Sequence, residues 1–580
     1  MVICQVECKE WTPWHTLVTT LFPAMASGCM YAFSTISAAL KEAFDFTEPE
    51  IETIGMSQFL VGFVTFSSGL LVDCVGPRAA IMSGGLLVSV CWIVFAKVAT
   101  ATIVVTAPHE FLATISGIAT YGSSLITASI FSVLSRSFHS DRSTAICIAM
   151  AWAGLGAGWS SSVFMAFVPR GDTDPRRLEY TYCLAVVTII LTWLSALVMQ
   201  APASTLPCLE ASAVKEVDLA VEDQLCLPVW CRWRLLYGTT LVLLLATLLA
   251  SLAEARKDAA MTSALGILLL LLVFLPLLVL WRRPQVHTLG SPPDSPRESG
   301  DTEPVLPSAS ESSAERQTPW ESGPAELVKR LEAILLWCSA FAVMGGGVCL
   351  ISNLGSIVNT RHGPRVSAAT AVAIFSCAQC AGRLLGSFLF DAAVRRRIPR
   401  PWCFCALNLL IGAGHALLCL PGPVALCAGV LTTGWAFGCC FPLLVITVAE
   451  LFGTQRVASN YMIFDGSPMA LGSLLLGKWL VQAVYQSQAE DTADESRSAA
   501  SCAGDKCFRL VHVLVALLQL LAAPAAAWLA IRSRLVYEVT LWGHSSEKVL
   551  LRPELIGATG ADRDAAKDGT VSVNSVQLVA

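Results

Sequence analysis

The sequence predicts an all-α polytopic membrane protein made of two six-helix bundles with two extra central spans between them, about 14 transmembrane helices in all. Its 580 residues are 55% hydrophobic and only 14% charged, and the mean hydropathy is +0.64. Because soluble proteins carry about 25% charged residues, this composition excludes a soluble protein. The chain also repeats itself, which predicts two homologous halves.

The repeat is visible in two loop motifs. Asp73 and Asp391 each end an apolar run that contains Gly and Ser, each is followed five positions later by an Arg, and they lie 318 positions apart. The pattern Phe-x-x-x-Arg, which ends at Arg142 and at Arg456, recurs at an offset of 314. Two independent motifs at nearly one offset indicate parallel repeats with the same number of spans.

Six spans are predicted in each half, each close to the ~20 apolar residues that a membrane helix needs. Spans 1 to 6 are placed near 16–40, 53–73, 79–98, 109–134, 145–168 and 180–200, and spans 9 to 14 near 331–358, 366–393, 401–420, 423–448, 459–485 and 508–532. The extra spans 7 and 8 are placed near 235–253 and 264–281. They are Leu-rich with almost no polar residues, so we expect them to face lipid beside the bundles.

The domain boundaries follow from these spans. They are an N-terminal bundle over 1–201, a linker with the extra spans over 202–330, a C-terminal bundle over 331–533 and a cytosolic tail over 534–580. The stretch from Trp281 to Arg330 is rich in Pro, Ser and Glu. Such a composition cannot bury a core, which predicts a disordered cytosolic loop.

Arginines predict the orientation in the lipid bilayer. Arg395, Arg396, Arg397 and Arg400 follow span 10, whereas the loop after span 1 is acidic. The positive-inside rule places the arginine cluster in the cytosol, and an even number of spans then places both termini there. The bias is imperfect, since Arg170 and a few others fall on the outer side. The plasma membrane is favoured over an internal organelle.

The sequence holds no catalytic constellation. It has no nucleotide-binding Gly-rich loop, no His-x-x-x-His pair and no Ser, His and Asp set in a soluble domain. We therefore expect no enzyme, no cofactor, no resident metal and no nucleic-acid partner. Most of the 22 Cys lie in apolar runs, where they act as small packing residues. The oligomeric state stays open.

Two charged residues inside spans are the main candidates for a solute pathway, because such residues are costly in hydrocarbon. Arg383 in span 10 lies about 12 Å before Asp391, and Asp465 in span 13 lies about 9 Å after Ser459. Since the two spans run in opposite directions, the two depths nearly agree. The sequence predicts a buried pair at the pathway; the alternative is a static pair that only joins the two spans.

Neutral residues complete the predicted pathway. Tyr31 and Gln58, in spans 1 and 2, can hydrogen-bond a solute. In span 9, three consecutive glycines beginning at Gly345 each weaken the helix by about 1 kcal/mol relative to Ala. This predicts a broken helix whose carbonyls face the solute beside Asn353.

The loop after span 2 carries a family resemblance. The run GLLVDCVGPR, from Gly69 to Arg78, resembles the loop signature of the major facilitator superfamily. It departs from that signature at Cys74 and Pro77, where basic residues are usual. The resemblance implies alternating-access secondary transport, with the solute held between the two bundles.

Three further stretches resemble the nodulin-like branch of that superfamily. They are the run that begins at Tyr31, the stretch from Gly434 to Lys478 and the run that begins at Cys502. The likeness thus covers both halves. Solutes proposed across this branch include iron and other metals as well as organic anions, so the resemblance names no single solute.

The resemblance also implies a cytosolic gate at the two repeated loop motifs. The matching positions are Asp73, Arg78, Arg142, Asp391 and Arg456. Asp73 and Arg142 are expected to help latch the halves together. Asp73 is expected near the start of span 13, where Ser459 or Asn460 can cap the helix and the helix dipole favours an anion.

Three functions remain open. The first is a transporter of a small polar or ionic solute, with organic anions favoured. If Asp465 is left alone when Arg383 turns to the solute, it can take up a proton and couple transport to pH. The second is a carrier of iron or another metal, which needs hard ligands such as Asp465 and His415 at one depth. The third is a transporter-like sensor.

The outer loop before span 14 holds a cysteine pair. Cys502 and Cys507 are separated by four residues. If the loop faces the oxidising outer side of the plasma membrane, the two are expected to form a disulfide.

The predicted topology can be tested with a protease site inserted between Trp281 and Arg330. We expect the site to be protected in intact cells, because this loop is predicted to be cytosolic. Immunoblotting after protease treatment, with and without permeabilisation, measures the protection. Cleavage in intact cells would show that the loop lies outside.

Overall fold

The fold comes from a computed structural model of the chain. The structure describes residues 12–29, 33, 35–138, 141–168, 175–199, 226–256, 258–281, 322–360, 366, 368–490, 504, 506–540 and 542. These residues form helices and turns, with no strand among them. Tyr31, Cys502, the loop over 282–321 and the tail from 543 onward lie outside the described residues.

The helices follow the predicted order of spans. Spans 1 to 6 are Pro13–Gly28, Glu48–Leu60 with Phe66–Val75, Pro77–Ala99, Pro108–Ser137, Arg142–Met165 and Tyr180–Val198. Spans 7 and 8 are Val229–Ala255 and Ala259–Leu272, the second continued by the 3-10 helix Leu275–Leu280. Spans 9 to 12 are Leu331–Thr360, Ala368–Arg395, Pro401–Leu418 and Pro423–Phe452. Span 13 is Val457–Gly472, continued by a π-helix Ser473–Leu480 and by Val481–Glu490, and span 14 is Lys506–Thr540.

The number of spans agrees approximately with the expectation. Within the described residues, 11 helices are long and apolar enough to cross a membrane, and 12 if the two parts of span 2, which are bent by 57°, count as one. Pro13–Gly28 and Val457–Gly472 have 16 residues each and lie where spans 1 and 13 were predicted. The all-helical, multi-span fold class is confirmed, and the total of 14 stays a prediction.

The turn between spans 2 and 3 explains one departure from the family signature. Gly76 has φ 86, in the left-handed region that favours glycine, and ends span 2. Pro77 is the first residue of span 3. A proline is suited to this position because the first helical residue needs no intrahelical N–H bond.

The two halves meet where span 2 crosses span 13, and their backbones touch there. A Cβ added at Gly62 would lie 2.4 Å from the carbonyl oxygen of Gly466. A Cβ added at Gly69 would lie 2.4 Å from the carbonyl oxygen of Ala458. Glycines at both points therefore allow the close packing that membrane helices use in place of a hydrophobic driving force. We call the end of the bundle that carries Asp73 the gate end.

The break predicted in span 9 is wrong. Leu331–Thr360 is one continuous helix, and Gly345 packs against span 13, where an added Cβ would lie 3.3 Å from the Cα of Gly472. The glycines serve close helix packing. The irregular helix is instead the π-helix Ser473–Leu480 of span 13.

The extra spans pack along span 5. The indole Nε1 of Trp152 donates to Thr240 Oγ1 at 2.9 Å, and that of Trp159 donates to the Leu269 carbonyl at 3.1 Å. The opposite faces of spans 7 and 8 expose leucines, including Leu245, which is 50% exposed. One face of each extra span is thus fixed to the N-terminal half.

The glycine crossing predicts a large difference between two Gly→Ala variants. Gly69→Ala is expected to lower the free energy of unfolding by about 1–3 kcal/mol, since its methyl group would overlap the backbone of span 13. Gly355→Ala in span 9 is the matched control, because a Cβ there meets no atom within 4 Å. It is expected to be neutral or stabilising by up to about 1 kcal/mol. Denaturation of the purified protein in detergent measures both values, and equal stability of the two variants would contradict the crossing.

Candidate functional site

A cavity with a mixed polar and apolar lining lies between the two halves. Its volume is about 90 Å³. Its hydroxyl-bearing residues come mostly from the N-terminal half: Ser27, Thr65, Thr120, Ser123, Ser124, Thr127 and Tyr461. Its remaining lining residues are Gly28, Gln58, Phe59, Val61, Gly62, Met150, Ala153, Arg383, Phe441, Asp465, Gly466 and Met469. Three residues proposed from the sequence, namely Gln58, Arg383 and Asp465, thus line one cavity.

Arg383 reaches across the cavity from span 10. The centre of its guanidinium lies 4.6 Å from the centroid of the Phe441 ring, a cation–π contact. Its Nη1 donates to the carbonyl of Met150 in span 5 at 3.5 Å. A Cβ added at Gly154 would lie 2.7 Å from this nitrogen, so Gly154 leaves room for the guanidinium. Arg383 therefore contacts the other half of the protein directly.

Asp465 lines the same cavity from span 13. The Tyr461 hydroxyl donates to Asp465 Oδ1 at 2.7 Å. The Asp465 carboxylate also lies close enough to Arg383 for their charges to attract. Tyr461 is itself held by an edge-to-face contact with Phe131 of span 4, with ring centroids 5.8 Å apart. The cavity thus brings together the carboxylate of Asp465, the guanidinium of Arg383 and the phenol of Tyr461.

The other predicted pathway residues are placed differently. Gln58 Nε2 donates to Ser116 Oγ at 3.1 Å, which fixes the amide in the cavity wall. Asn353 is not among the residues that line the cavity. Its Nδ2 donates to the carbonyls of Cys349 at 2.9 Å and of Gly477 at 2.8 Å. Asn353 therefore joins span 9 to the π-helix of span 13.

Asp73 bridges the two halves at the gate end. Its Oδ2 accepts a hydrogen bond from the backbone N–H of Ser459, in the first turn of Val457–Gly472, at 3.2 Å. The N-terminus of a helix favours such an anion. Asp73 Oδ1 lies 3.8 Å from Arg136 Nη2. The role of Asp73 as a latch stays a prediction.

Arg136 is a gate-end residue that the sequence analysis missed. Its Nε donates to the carbonyl of Thr454 at 3.2 Å, and its Nη2 donates to the carbonyl of Gln455. Both carbonyls belong to the C-terminal half. Arg142, to which the resemblance assigned this place, donates through Nε to two carbonyls of its own half, those of Ser135 and Phe138, at 3.1 and 3.3 Å.

Two further gate candidates, Arg78 and Arg456, make different contacts. Arg78 is exposed and donates to the carbonyl of Leu197 in its own half at 3.2 Å. Arg456 lies near Asp73 and attracts its charge. Its Nη1 lies 2.6 Å from the position of a Cβ added at Gly323.

Asp391 belongs to a charge network inside the C-terminal half. Arg400 Nη2 donates to Asp391 Oδ1 at 2.9 Å, and Arg400 Nη1 donates to Glu450 Oε1. The Tyr537 hydroxyl donates to Glu450 Oε2 at 2.8 Å. At the repeat offset of 314, Glu450 corresponds to Arg136, so the charge at this position is reversed between the halves. Arg400 lies between the two acids and compensates both.

Cys507 is disulfide-bonded, and Cys502 lies outside the described residues, so their pairing stays a prediction. In the described part of the chain, no group of three or more His, Cys, Asp and Glu side chains is arranged to hold a metal ion.

The chain matches two family models that together cover most of it. Residues 13–281 match the model described as Nodulin-like, and residues 235–477 match that of the Major Facilitator Superfamily. The chain is a nodulin-like member of the major facilitator superfamily. It is therefore an integral, multi-pass membrane protein that transports a small solute, and it is not an enzyme.

Relatives and solved structures agree with this assignment. The chain is 22% identical to the NUCLEAR FUSION DEFECTIVE 4 protein of Arabidopsis thaliana over 563 residues, 91% of this chain and 90% of that one. It is 26% identical to the probable transporter mch1 of Neurospora crassa over 220 residues, 32% of this chain and 36% of that one. The proton:xylose symporter XylE shares the fold at 12% identity with a TM-score of 0.54, over 88% of this chain and 94% of that one.

Arg136 can be tested against a second arginine at the gate end. Arg136→Gln is expected to speed hydrogen–deuterium exchange at the start of span 13 about tenfold, because the C-terminal half loses charge-assisted bonds worth ~1.5–3 kcal/mol. Arg78→Gln, which removes only a bond inside the N-terminal half, is expected to leave this exchange unchanged. Mass spectrometry of peptides that contain Ser459 measures both rates. An unchanged rate in Arg136→Gln would remove Arg136 from the gate.

Proposed function

We propose that this transporter carries a small organic anion by alternating access, coupled to a proton. One observation carries the proposal: Arg383 of the C-terminal half enters the cavity between the halves and contacts the opposite wall. A positive charge at the contact between two moving halves is the group that an anionic solute would bind.

The cavity favours a small and polar solute. Its volume of about 90 Å³ is well below the ~300–1,000 Å³ of sites for drug-sized ligands. Six Ser and Thr side chains in its wall can donate or accept hydrogen bonds. A carboxylate group fits this wall, because the guanidinium can bind two oxygens at once and hydroxyls can surround the rest.

Asp465 supplies the proposed proton site. While Arg383 lies near Asp465, its positive charge partly offsets the cost of burying the ionised carboxylate. A solute anion that binds Arg383 takes over that compensation, and the Asp465 carboxylate then favours a proton, since an uncompensated buried charge is costly. Anion and proton would therefore occupy the cavity together and cross as a neutral pair.

The contacts at the gate end indicate which side of the cavity is closed. Asp73 and Arg136 bond to span 13 and to the loop before it, and on this proposal these bonds hold the gate end closed. The arginine-rich end is proposed to be cytosolic, with both termini there and the plasma membrane as the location. On this arrangement the structure has its cytosolic side closed.

The proposal can be tested with purified protein in vesicles. We expect uptake of labelled small carboxylates, with lactate and pyruvate as probes, to increase with an inward proton gradient, and uptake of uncharged glucose to be absent. Arg383→Lys keeps the charge but loses the planar fork, and is expected to lower uptake about tenfold or more. Asp465→Asn is expected to abolish the response to the proton gradient.

Arg534→Lys is the matched control, because Arg534 is exposed and pairs only locally with Glu538 at 2.9 Å. It is expected to transport as the unmodified protein does. Normal anion uptake by Arg383→Lys would contradict the proposed site. A folded Asp465→Asn variant that still responds to the gradient would remove Asp465 as the proton site and leave the anion site standing.

A further inference from the structure

The two junctions between the halves are closed by different contacts at the gate end. Where span 2 meets span 13, Asp73 accepts a bond from the backbone of Ser459 in the opposite half. Where span 5 meets span 10, the repeat places Asp391 in the position of Asp73. There, however, Asp391 binds Arg400 of its own half.

The charges around this second junction explain the difference. Glu450 stands where the other half has Arg136, so Arg400 is needed between Asp391 and Glu450. Asp141, just before span 5, faces the same place. Burial, and next the negative charge of Asp391, raise the pKa of the Asp141 carboxyl. Asp391 and Asp141 repel each other, so Asp391 is poorly suited to latch span 5.

One attraction does cross this junction, between Arg142 at the start of span 5 and Glu450, but it does not involve Asp391.

A tyrosine from extra span 7 reaches this junction. The hydroxyl of Tyr237 lies 2.5 Å from Ser387 Oγ in span 10, and it also hydrogen-bonds Thr144 in span 5. The Tyr237 ring packs on Phe388 of span 10, with centroids 5.1 Å apart. One side chain thus contacts both halves, four residues from Asp391 along span 10.

Span 7 itself is fixed to the N-terminal half. Thr240, one turn after Tyr237, accepts a bond from Trp152 of span 5 at 2.9 Å. Arg232 lies over the Trp14 ring of span 1, 5.1 Å from its centroid. Tyr237 is therefore carried by the N-terminal half, and its bond to Ser387 is the part that must break when spans 5 and 10 separate.

We propose that Tyr237 is a positioning residue for the gate, and that the extra spans supply through it the latch that Asp391 does not provide. The bond between Tyr237 and Ser387 stabilises the state in which the gate end is closed. This inference rests on the alternating movement of the two halves in the proposed function. It does not depend on which solute moves, so it can fail while the anion site stands.

A native cysteine reports on this contact. Cys147 of span 5 is buried, close to Tyr237 and to the backbone of Ser387. Separation of spans 5 and 10 would expose its thiol to water. Cys349 of span 9 is also buried but lies outside the junction, so its reaction rate measures general loosening of the protein.

The experiment measures the rate at which N-ethylmaleimide modifies these two thiols in purified protein without solute. Tyr237→Phe removes one hydroxyl and keeps the ring. We expect it to raise the modification rate at Cys147 about two- to tenfold. Loss of one hydrogen bond shifts the equilibrium between the closed and the open gate by about this factor, and Cys147 reacts in the open state. Ser387→Ala should give the same increase, and the double variant no more than either, because all three lose the same bond between the halves, that of Tyr237 to Ser387.

Tyr121→Phe is the matched control. It removes a Tyr hydroxyl that lies 2.8 Å from Ser67 Oγ, a contact inside the N-terminal half, and is expected to leave Cys147 unchanged. An unchanged rate at Cys147 in Tyr237→Phe and Ser387→Ala would overturn the proposal. So would an equal increase at Cys349 or in Tyr121→Phe. Failure of both single variants to fold would assign the contact to folding and overturn it as well.

Discussion

A charged guanidinium inside a bundle of apolar helices is the constraint on which the rest of the site depends. Arg383 cannot be moved into hydrocarbon without compensation, so the residues around it supply that compensation. Phe441 offers its ring face, Asp465 its charge, and Gly154 the space. These groups come from three different spans and from both halves. The need to compensate the charge of Arg383 therefore also constrains how the two halves face each other.

The sequence repeat predicts two homologous halves, but the structure joins their gate ends by different contacts. A charge reversal, Arg136 in one half and Glu450 in the other, means that a cation crosses between the halves at one junction. At the other junction the acids Asp391 and Glu450 are compensated by Arg400 inside their own half. Duplicated folds keep their backbone geometry more easily than their charge pattern, since a single substitution inverts a charge without moving a helix. The added spans then contact the junction at which Asp391 binds within its own half.

The features that could be predicted from the sequence are those with a high energetic cost or gain in a membrane. Long apolar runs and the charges of Arg383 and Asp465 are conspicuous because they are expensive to bury, and the structure places both charges in one cavity wall. Phe441 and Tyr461, which contact these charges, were missed because aromatic residues occur in any span. Arg136 was hidden among arginines that the positive-inside rule already accounts for. Only the packing of the two halves distinguishes it.

The π-helix of span 13 holds more residues in a given axial length than an α-helix would. Each hydrogen-bonded turn of a π-helix closes over one more residue than an α-turn, so Ser473–Leu480 is wound wider than the helix on either side. Rewinding this stretch as an α-helix would lengthen span 13 and turn Val481–Glu490 about the axis, while Asp465 and the gate end stayed in place. Asn353 clamps the stretch at the Gly477 carbonyl. Such a change of winding would move Val481–Glu490 relative to Asp465 without requiring a change at the gate end.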